Sequence, residues 1–236
     1  MEKARTARQR ARDEITAEIL AAARSRLAEA GPGELSLRAV ARDVGMVSSA
    51  VYRYFASRDE LLTALLIGAY DELGLAAEEA DDSVTDRSDV GERWLSTCRA
   101  VRRWALDHPH DYALLYGTPV TGYAAPQDTV SSAARVVIRL VDIVTTAARI
   151  GAIDASRPGP SPGFGDSIGG ARDAMRELGA PDDSPDELVG RLLMTWSSLF
   201  GVISFELWGH LVGSVDDRDA YFDHVAARLW HDLGGT

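Results

Sequence analysis

The sequence predicts an all-α protein in which a small N-terminal helical domain precedes a larger C-terminal helical bundle. Apolar residues recur at three- and four-residue spacing along most of the chain, and strand-like alternation is nearly absent. Helix caps and glycine or proline stops separate these apolar segments. With 236 residues, 46% of them hydrophobic, the chain is long enough to bury a substantial core.

Composition narrows the functional classes. The single cysteine, Cys98, excludes an internal disulfide and a cysteine-based zinc site. The longest uncharged apolar window, Leu192–Phe205, is shorter than the roughly 20 residues that a membrane span needs. No apolar run follows the positive charges at the N-terminus, so a signal peptide is not predicted. We therefore expect a soluble, cytoplasmic protein that needs no membrane, metal or cofactor.

Charge is distributed unevenly along the chain, whose formal net charge is −11. Residues 1–60 hold eleven Lys and Arg against nine Asp and Glu, whereas residues 61–236 hold fourteen against twenty-seven. A basic N-terminal segment followed by an acidic remainder, called the body below, indicates that the N-terminal end of the protein binds a polyanion. Residues 1–12 are predicted to form a basic flexible arm, which binds the DNA backbone or minor groove unless it is only a solvated tail. Its cations are Lys3, Arg5, Arg8, Arg10 and Arg12.

The first helix is predicted from about Asp13 to Ala30, because apolar residues mark one face at four-residue spacing. Gly31-Pro32-Gly33 ends it. Ser36 is an N-cap for a second helix, which ends at Gly45. A third helix follows from near Ser48 to Phe55. Two short helices joined by a three- or four-residue turn containing glycine are typical of a helix-turn-helix, whose second helix enters the major groove of DNA.

The third helix has a polar and aromatic outer side. If Val51 and Phe55 face the core, the side chains left at or near the surface are Ser48, Ser49, Tyr52, Arg53 and Tyr54. Hydroxyl and guanidinium groups donate to phosphate oxygens, and arginine also reads guanine. The alternative interpretation of the aromatic string is the edge of a hydrophobic core.

A fourth helix begins at the capping box formed by Ser57 and Glu60. Arg58 lies in its first turn, where backbone donors and the helix dipole attract a phosphate. These features define a DNA-binding domain over residues 13–60 and a body over residues 61–236.

Four motifs in this region closely resemble the DNA-binding domain of the TetR family of repressors. The motifs are SLRAVA at 36–41, GMVS at 45–48, VYRYF at 51–55 and SRDEL at 57–61. The resemblance covers about residues 13–66 and is specific in order and spacing. It implies an all-helical homodimer with a small reading head and a larger ligand-binding and dimerisation domain.

The resemblance also implies roles for individual side chains. Arg38 would reach a base or phosphate from the second helix, and Ser48, Ser49 and Arg53 would face the groove. Tyr52, Tyr54 and Arg58 would hold phosphates. Ala50 departs from the pattern, since many relatives carry a polar group there, although its methyl group suits a thymine methyl.

The body is predicted to hold further helices over residues 90–107, 109–116, 128–151, 185–212 and 215–233. A mobile loop is expected over about 154–169, which contains three prolines and four glycines. Ser184 and Glu187 form a second capping box at the start of the helix over 185–212. That helix is apolar nearly all round, and the last helix adds a second apolar face, so we expect a homodimer through these two helices.

A small-molecule effector is expected between the helices of the body. The side chains suited to line the effector site are aromatic or, for cysteine, polarisable: Trp94, Cys98, Tyr112, Tyr116, Tyr123, Trp196 and Phe200. Core packing is the alternative for each of them. His108, His110 and Asp111 form a string with metal-binding residue types, but side chains two apart diverge on a helix, and no site is predicted.

These observations predict a sequence-specific transcriptional regulator rather than an enzyme, since no catalytic motif is present. The preferred hypothesis is a repressor that leaves a palindromic operator when the effector binds; an activator is a lesser alternative. The alternative class is a helical-bundle small-molecule carrier or enzyme with no DNA role.

Overall fold

The computed structural model describes residues 6–156 and 164–235, and within these ranges the protein is all-α, as predicted. The α-helices are α1 (Ala7–Ala30), α2 (Leu37–Asp43), α3 (Ser48–Val51), α4 (Arg58–Ser83), α5 (Val90–Asp107), α6 (Pro109–Tyr116), α7 (Val130–Ala133), α8 (Arg135–Arg149), α9 (Gly169–Glu177), α10 (Asp186–Leu207) and α11 (Arg218–Asp232). Short 3-10 helices cover Pro32–Glu34, Gln127–Thr129 and Phe164–Ser167.

The chain divides into two compact units. The first comprises Met1–Tyr70 and His108–Val130, and the second comprises Asp71–Asp107 and Ser131–Thr236. Helix α6 and the segment after it, which sequence analysis assigned to the body, therefore belong to the same unit as the predicted DNA-binding domain.

The first unit is held together by one apolar cluster. Its buried members are Ile19, Ala23, Leu27, Leu35, Leu37, Val40, Ala41, Val51, Phe55, Leu61, Leu62 and Leu65. Leu114, Val120 and Tyr123, from the segment that contains α6, pack against this cluster. The Tyr123 and Thr63 hydroxyls lie 2.8 Å apart and share a hydrogen bond.

Helix α1 begins earlier than the periodicity predicted. The Thr6 hydroxyl accepts from the Gln9 amide at 3.2 Å, so Thr6 is the N-cap and helix begins at Ala7 instead of Asp13. Residues 7–12 are thus the first turns of α1, and the prediction of a flexible arm is wrong for them. The apolar stripe that located this helix starts only at Ile15, which is why the cap was missed. The part of the predicted arm over residues 1–5 lies outside the described residues.

Two of the predicted caps form and one does not. The Ser36 hydroxyl accepts from the Ala39 amide at 3.2 Å, and the Ser57 hydroxyl accepts from the Glu60 amide at 3.1 Å. Ser184 instead donates to the Pro181 carbonyl at 2.7 Å. The backbone turn before α10 places that acceptor nearby, and the predicted capping box at Ser184 is wrong.

Several helix boundaries in the second unit differ from the expected ones. The helix predicted over 128–151 is broken into α7 and α8, and α9 was not predicted. Residues 157–163 of the predicted mobile loop lie outside the described residues, and the 3-10 turn Phe164–Ser167 occupies most of its described end. Helix α10 ends at Leu207 because Gly209, with φ of 78°, takes the left-handed conformation that terminates helices.

Helix α5 packs against α8, α10 and α11 in the second unit. Its Trp94 is fully buried and donates from Nε1 to the Ala226 carbonyl of α11 at 2.9 Å. Helix α10 contains an 18-residue stretch apolar enough to cross a membrane by composition, with a mean hydropathy of 1.5. Half of that stretch is buried inside the protein, which is the pattern of a core helix.

A buried ion cluster joins the end of α4 to α5 and α8. The fully buried Asp81 carboxylate accepts from Arg93 Nε at 2.7 Å and from Arg87 Nη2 at 2.7 Å. Arg93 is itself buried and also donates to Asp142 at 2.7 Å. Burial by itself would raise the pKa of Asp81, but the hydrogen bonds from Arg93 and Arg87 outweigh it and hold that pKa below its ordinary value.

We expect Asp81→Asn to lower the free energy of unfolding by about 3 kcal/mol, because it leaves the buried Arg93 guanidinium without its main counter-charge. The control Asp82→Asn removes a carboxylate with 62% of its side chain exposed and should cost less than about 1 kcal/mol. Urea denaturation measures both.

The same pair gives a pH test. Because the folded-state pKa of Asp81 is lowered, its stabilisation is present at neutral pH and is lost as the pH falls below the unfolded value of about 3.9. The stability difference between wild type and Asp81→Asn should therefore shrink in acid. A difference that is unchanged between pH 7 and pH 3 would contradict the assignment.

Candidate nucleic-acid interface

The turn between α2 and α3 is built around Gly45. Its φ of 66° lies in the left-handed region, which glycine adopts without strain. The Met46 amide donates to the Ala41 carbonyl at 2.8 Å and closes the end of α2. Helix α3 then begins at Ser48, so the predicted helix-turn-helix is present.

Helix α3 has one buried side and one free side. Val51 is fully buried and Phe55, just after the helix, is 5% exposed, and both lie in the apolar cluster of the first unit. Ser49, Tyr52 and Arg53 point away from that cluster and are exposed, Tyr52 to 47%. Among the described residues no hydrogen-bond partner occupies these three side chains, so their donors are available to a ligand.

The other residues of α2 and α3 that were predicted to contact DNA differ in their exposure. Arg38 of α2 is exposed, as its predicted contact with DNA requires. Ser48 and Ala50 are half-buried. Helix α3 ends at Val51 and not at Phe55 as predicted, and a turn covers residues 52–54, so Tyr52 and Arg53 lie just after the helix.

Arg12 of α1 reaches the end of α3 in the structure. Its Nη2 donates to the Arg53 carbonyl at 3.3 Å, and its guanidinium carbon lies 5.0 Å from the centre of the Tyr54 ring. Tyr54 is half-buried and also packs against the apolar cluster. Arg12 therefore holds the segment that presents Arg53, a positioning role that sequence analysis did not find.

A groove of about 480 Å³ lies beside this contact, between the start of α1 and α3. Arg8, Arg12 and Arg53 line it, together with Ala50 and Tyr54. Arg10 is exposed on the same two turns of α1. Several cations around one open groove give this face the charge that a phosphate backbone binds.

Arg58 has protein partners where a phosphate was predicted. Its Nη2 donates to the Pro32 carbonyl at 2.7 Å and its Nε donates to the Leu35 carbonyl at 3.0 Å. These bonds join the start of α4 to the turn that follows α1. The geometry therefore favours a structural role for Arg58 over the predicted phosphate contact.

Two of the three tyrosines proposed as ligand contacts in the first unit, Tyr112 and Tyr116, pack against each other. Tyr112 is fully buried, and its ring centre lies 5.1 Å from that of Tyr116. Tyr116 also meets the edge of Tyr70 at 6.2 Å. Burial, with the nearby Tyr70 and Tyr112 hydroxyls, raises the pKa of Tyr116 far above its ordinary value. Tyr123 has the hydrogen bond to Thr63 described above.

The proposed ligand contacts of the second unit occupy two places. Trp94 and Cys98 are fully buried in α5, and burial raises the pKa of the Cys98 thiol so that it is unreactive at neutral pH. Trp196 lines an apolar cavity with residues of α8 and α9, and its ring lies 6.0 Å from that of Phe200. The cavity residues of α9 were missed because no helix was predicted there.

Comparisons with known proteins agree with this geometry. Residues 94–229 match the family model described as the tetracyclin repressor-like C-terminal domain, and residues 19–65 match the model described as bacterial regulatory proteins of the tetR family. The HTH-type transcriptional regulator Rv1816 of Mycobacterium tuberculosis (strain ATCC 25618 / H37Rv) is 42% identical over 209 residues, which cover 86% of this chain and 84% of that protein. Mb1846 of Mycobacterium bovis, also an HTH-type transcriptional regulator, matches equally well. The crystal structure of the regulatory protein SCO4313 superposes with a TM-score of 0.77 at 34% identity, covering 96% of this chain and all of that one.

We expect Arg58→Ala to lower the free energy of unfolding by about 2 kcal/mol, because the Pro32 and Leu35 carbonyls lose a charged donor. Arg42→Ala, at an exposed position of α2, should change it by less than about 0.5 kcal/mol. Chemical denaturation measures both variants. If Arg58→Ala keeps wild-type stability but loses DNA affinity, Arg58 is a phosphate contact after all.

Proposed function

This chain belongs to the TetR family of transcriptional regulators, and we propose that it is a homodimeric repressor that a small molecule releases from a palindromic operator. The family and the relatives mark it as a DNA-binding regulator with a helix-turn-helix and not as an enzyme. Because its partner is chromosomal DNA, we place its action in the cytoplasm.

The observation that carries the DNA part of the proposal is the free donor surface of α3. Ser49 is exposed on α3 and Arg53 is exposed in the turn just after it, and Arg53 suits the O6 and N7 acceptors of guanine. The Tyr52 hydroxyl is equally free and suits a phosphate oxygen. The Arg12 contact orders the Arg53 backbone in advance, so less conformational entropy is lost on binding.

The distribution of charge favours binding of DNA by this surface and not by the body. The excess of acidic residues lies after residue 60, so the body repels a polyanion while the basic α1 start and α3 attract it. Non-specific affinity should therefore be low, and specific contacts should dominate the binding free energy.

An exposed apolar stripe on α10 supports the dimer. Met194 and Phe205 of α10 are 52% and 55% exposed, and Trp208 and Val212, which follow the helix, are 48% and 67% exposed. Gly201 lies between them on the same exposed face and leaves room for a close approach of a second helix. Exposed apolar side chains along one face of a helix are typical of a subunit interface. On α11, Tyr221 is also exposed, to 38%.

A two-fold dimer accounts for a palindromic operator, because two recognition helices about 34–36 Å apart meet successive major grooves. Release by an effector requires only that the effector bind the DNA-free arrangement of the dimer more tightly than the DNA-bound one.

Selection of binding sites from random duplexes tests the proposal. We expect the purified protein to enrich one palindrome and to bind it in a salt-sensitive way. Enrichment of no sequence would support the carrier alternative and overturn the repressor. Enrichment of a single half-site without symmetry would overturn the dimeric part.

On the selected operator, we expect Arg53→Ala to lose about 1–3 kcal/mol of binding and to relax preference at one base pair. Tyr52→Phe should lose about 1 kcal/mol on every sequence, because only a phosphate contact is removed. Fluorescence anisotropy on the operator and on scrambled DNA separates the two effects. Arg103→Ala, at an exposed position of α5, is the control and should leave both affinities unchanged.

Phe205→Glu should raise the dimer dissociation constant at least about tenfold, because a tenfold change needs only about 1.4 kcal/mol and a buried phenyl group contributes more. Sedimentation velocity measures the dissociation. Leu106→Glu places the same charge at an apolar position of α5 that is 38% exposed and should leave the dimer intact. Equal effects of the two variants would exclude the α10 stripe as the interface.

A further inference from the structure

An apolar cavity of about 180 Å³ lies in the second unit between α8, α9 and α10. Its floor is buried: Met175, Val189 and Leu192 are 7%, 1% and 4% exposed. Leu193 and Ala174 are exposed at its edge, so the cavity opens to solvent. None of the described side chains that line it is charged, and the indole N–H of Trp196 is the only polar side-chain group among them.

Small side chains on α9 make this space. Ala171 and Ala174 occupy successive positions at three-residue spacing on the wall that faces the cavity, where larger residues would fill it. Contacts of Arg172, which is not a lining residue, hold helix α9 in place. Its guanidinium group lies 2.7 Å from the Asp186 carboxylate of α10 and donates to the Gly165 carbonyl at 3.0 Å. Arg172 therefore supports the cavity wall from outside, because it is not among the described residues that line the cavity.

We propose that this cavity is the effector site and that it takes an uncharged, apolar molecule of about the size of one ring. A dry cavity of about 150 Å³ lined by aliphatic and aromatic side chains holds benzene in another protein, so the volume fits. A charged group would lose its hydration here, and the described lining side chains offer it no counter-charge and only the indole N–H of Trp196 as a hydrogen-bond donor, so the lining selects against anions and cations. The indole ring of Trp196 supplies the aromatic surface of the site.

The site lies on the helix that carries the proposed dimer contact. Leu193 and Trp196 line the cavity, whereas Met194 and Phe205 lie on the exposed stripe of the same helix. A ligand that displaces α10 relative to α9 therefore also displaces the interface that sets the spacing of the two recognition helices. This part of the inference rests on the proposed function, because it assumes a dimer that responds to a ligand.

Calorimetric titration of this 236-residue chain with toluene, cyclohexane and benzoate tests the site. We expect toluene or cyclohexane to bind, and benzoate to bind at least tenfold more weakly than toluene. Ala171→Phe should reduce toluene affinity at least tenfold by filling the cavity. Val137→Phe should fill the cavity from α8 and reduce toluene affinity in the same way, and it replaces Ala171→Phe in the test if that variant does not fold. Ala125→Phe adds the same ring at an exposed position of the first unit and should not change binding.

Binding of neither hydrocarbon, or binding that both cavity variants retain, overturns the site. Dissociation of the dimer by Ala171→Phe in sedimentation velocity also overturns it, because the cavity would then be a subunit contact. If toluene binds in the cavity but leaves operator affinity unchanged, the site stands and the ligand-responsive part of the proposed function fails. If another effector releases the operator from Ala171→Phe as readily as from wild type, the repressor stands and this assignment of its effector site is wrong.

Discussion

A four-residue helix has no stability of its own in water, since isolated helices are marginal below about 12–15 residues. The shape of α3 is therefore imposed by its burial, through Val51 and Phe55, in the apolar cluster of the first unit. The side chains that α3 and the turn after it present to DNA depend on that packing, because Ser49 and Arg53 face outward only while Val51 faces inward. Loss of the cluster would abolish sequence-specific DNA binding even if every polar residue were kept.

Four arginines of the first unit fall into two groups with different tasks. Arg12 and Arg58 donate to backbone carbonyls and fix segments around α3, whereas the exposed guanidinium groups of Arg38 and Arg53 have no hydrogen-bond partner within residues 6–156 and 164–235. An arginine that braces the backbone contributes to affinity by ordering the protein before DNA arrives. Of these four, only Arg38 and Arg53 are candidates for contacts that distinguish one base pair from another.

In the second unit, buried ions and apolar surface have separate roles. The Asp81 cluster ties α4, α5 and α8 together, and paired hydrogen bonds from Arg102 to Glu206, both 2.7 Å, tie α5 to α10. These directional contacts specify which helix faces are buried. The remaining apolar surface of α10 is then left exposed at the stripe and lines the cavity beside α9.

The sequence by itself determined the all-α class, the helix-turn-helix and the caps at Ser36 and Ser57, because helical periodicity, a left-handed glycine and a hydroxyl cap are local properties of a few neighbouring residues. It did not determine that Arg58 donates to backbone carbonyls, or that Arg12 belongs to α1 and contacts the segment after α3. Nor did it determine that Trp94 and Trp196 lie in different surroundings. Those outcomes depend on which groups the fold brings within hydrogen-bond or packing distance across many residues of sequence. A guanidinium or an indole has the same chemistry in either setting, so only the tertiary structure decides whether its partner is a carbonyl of the protein, another ring, or a ligand from outside.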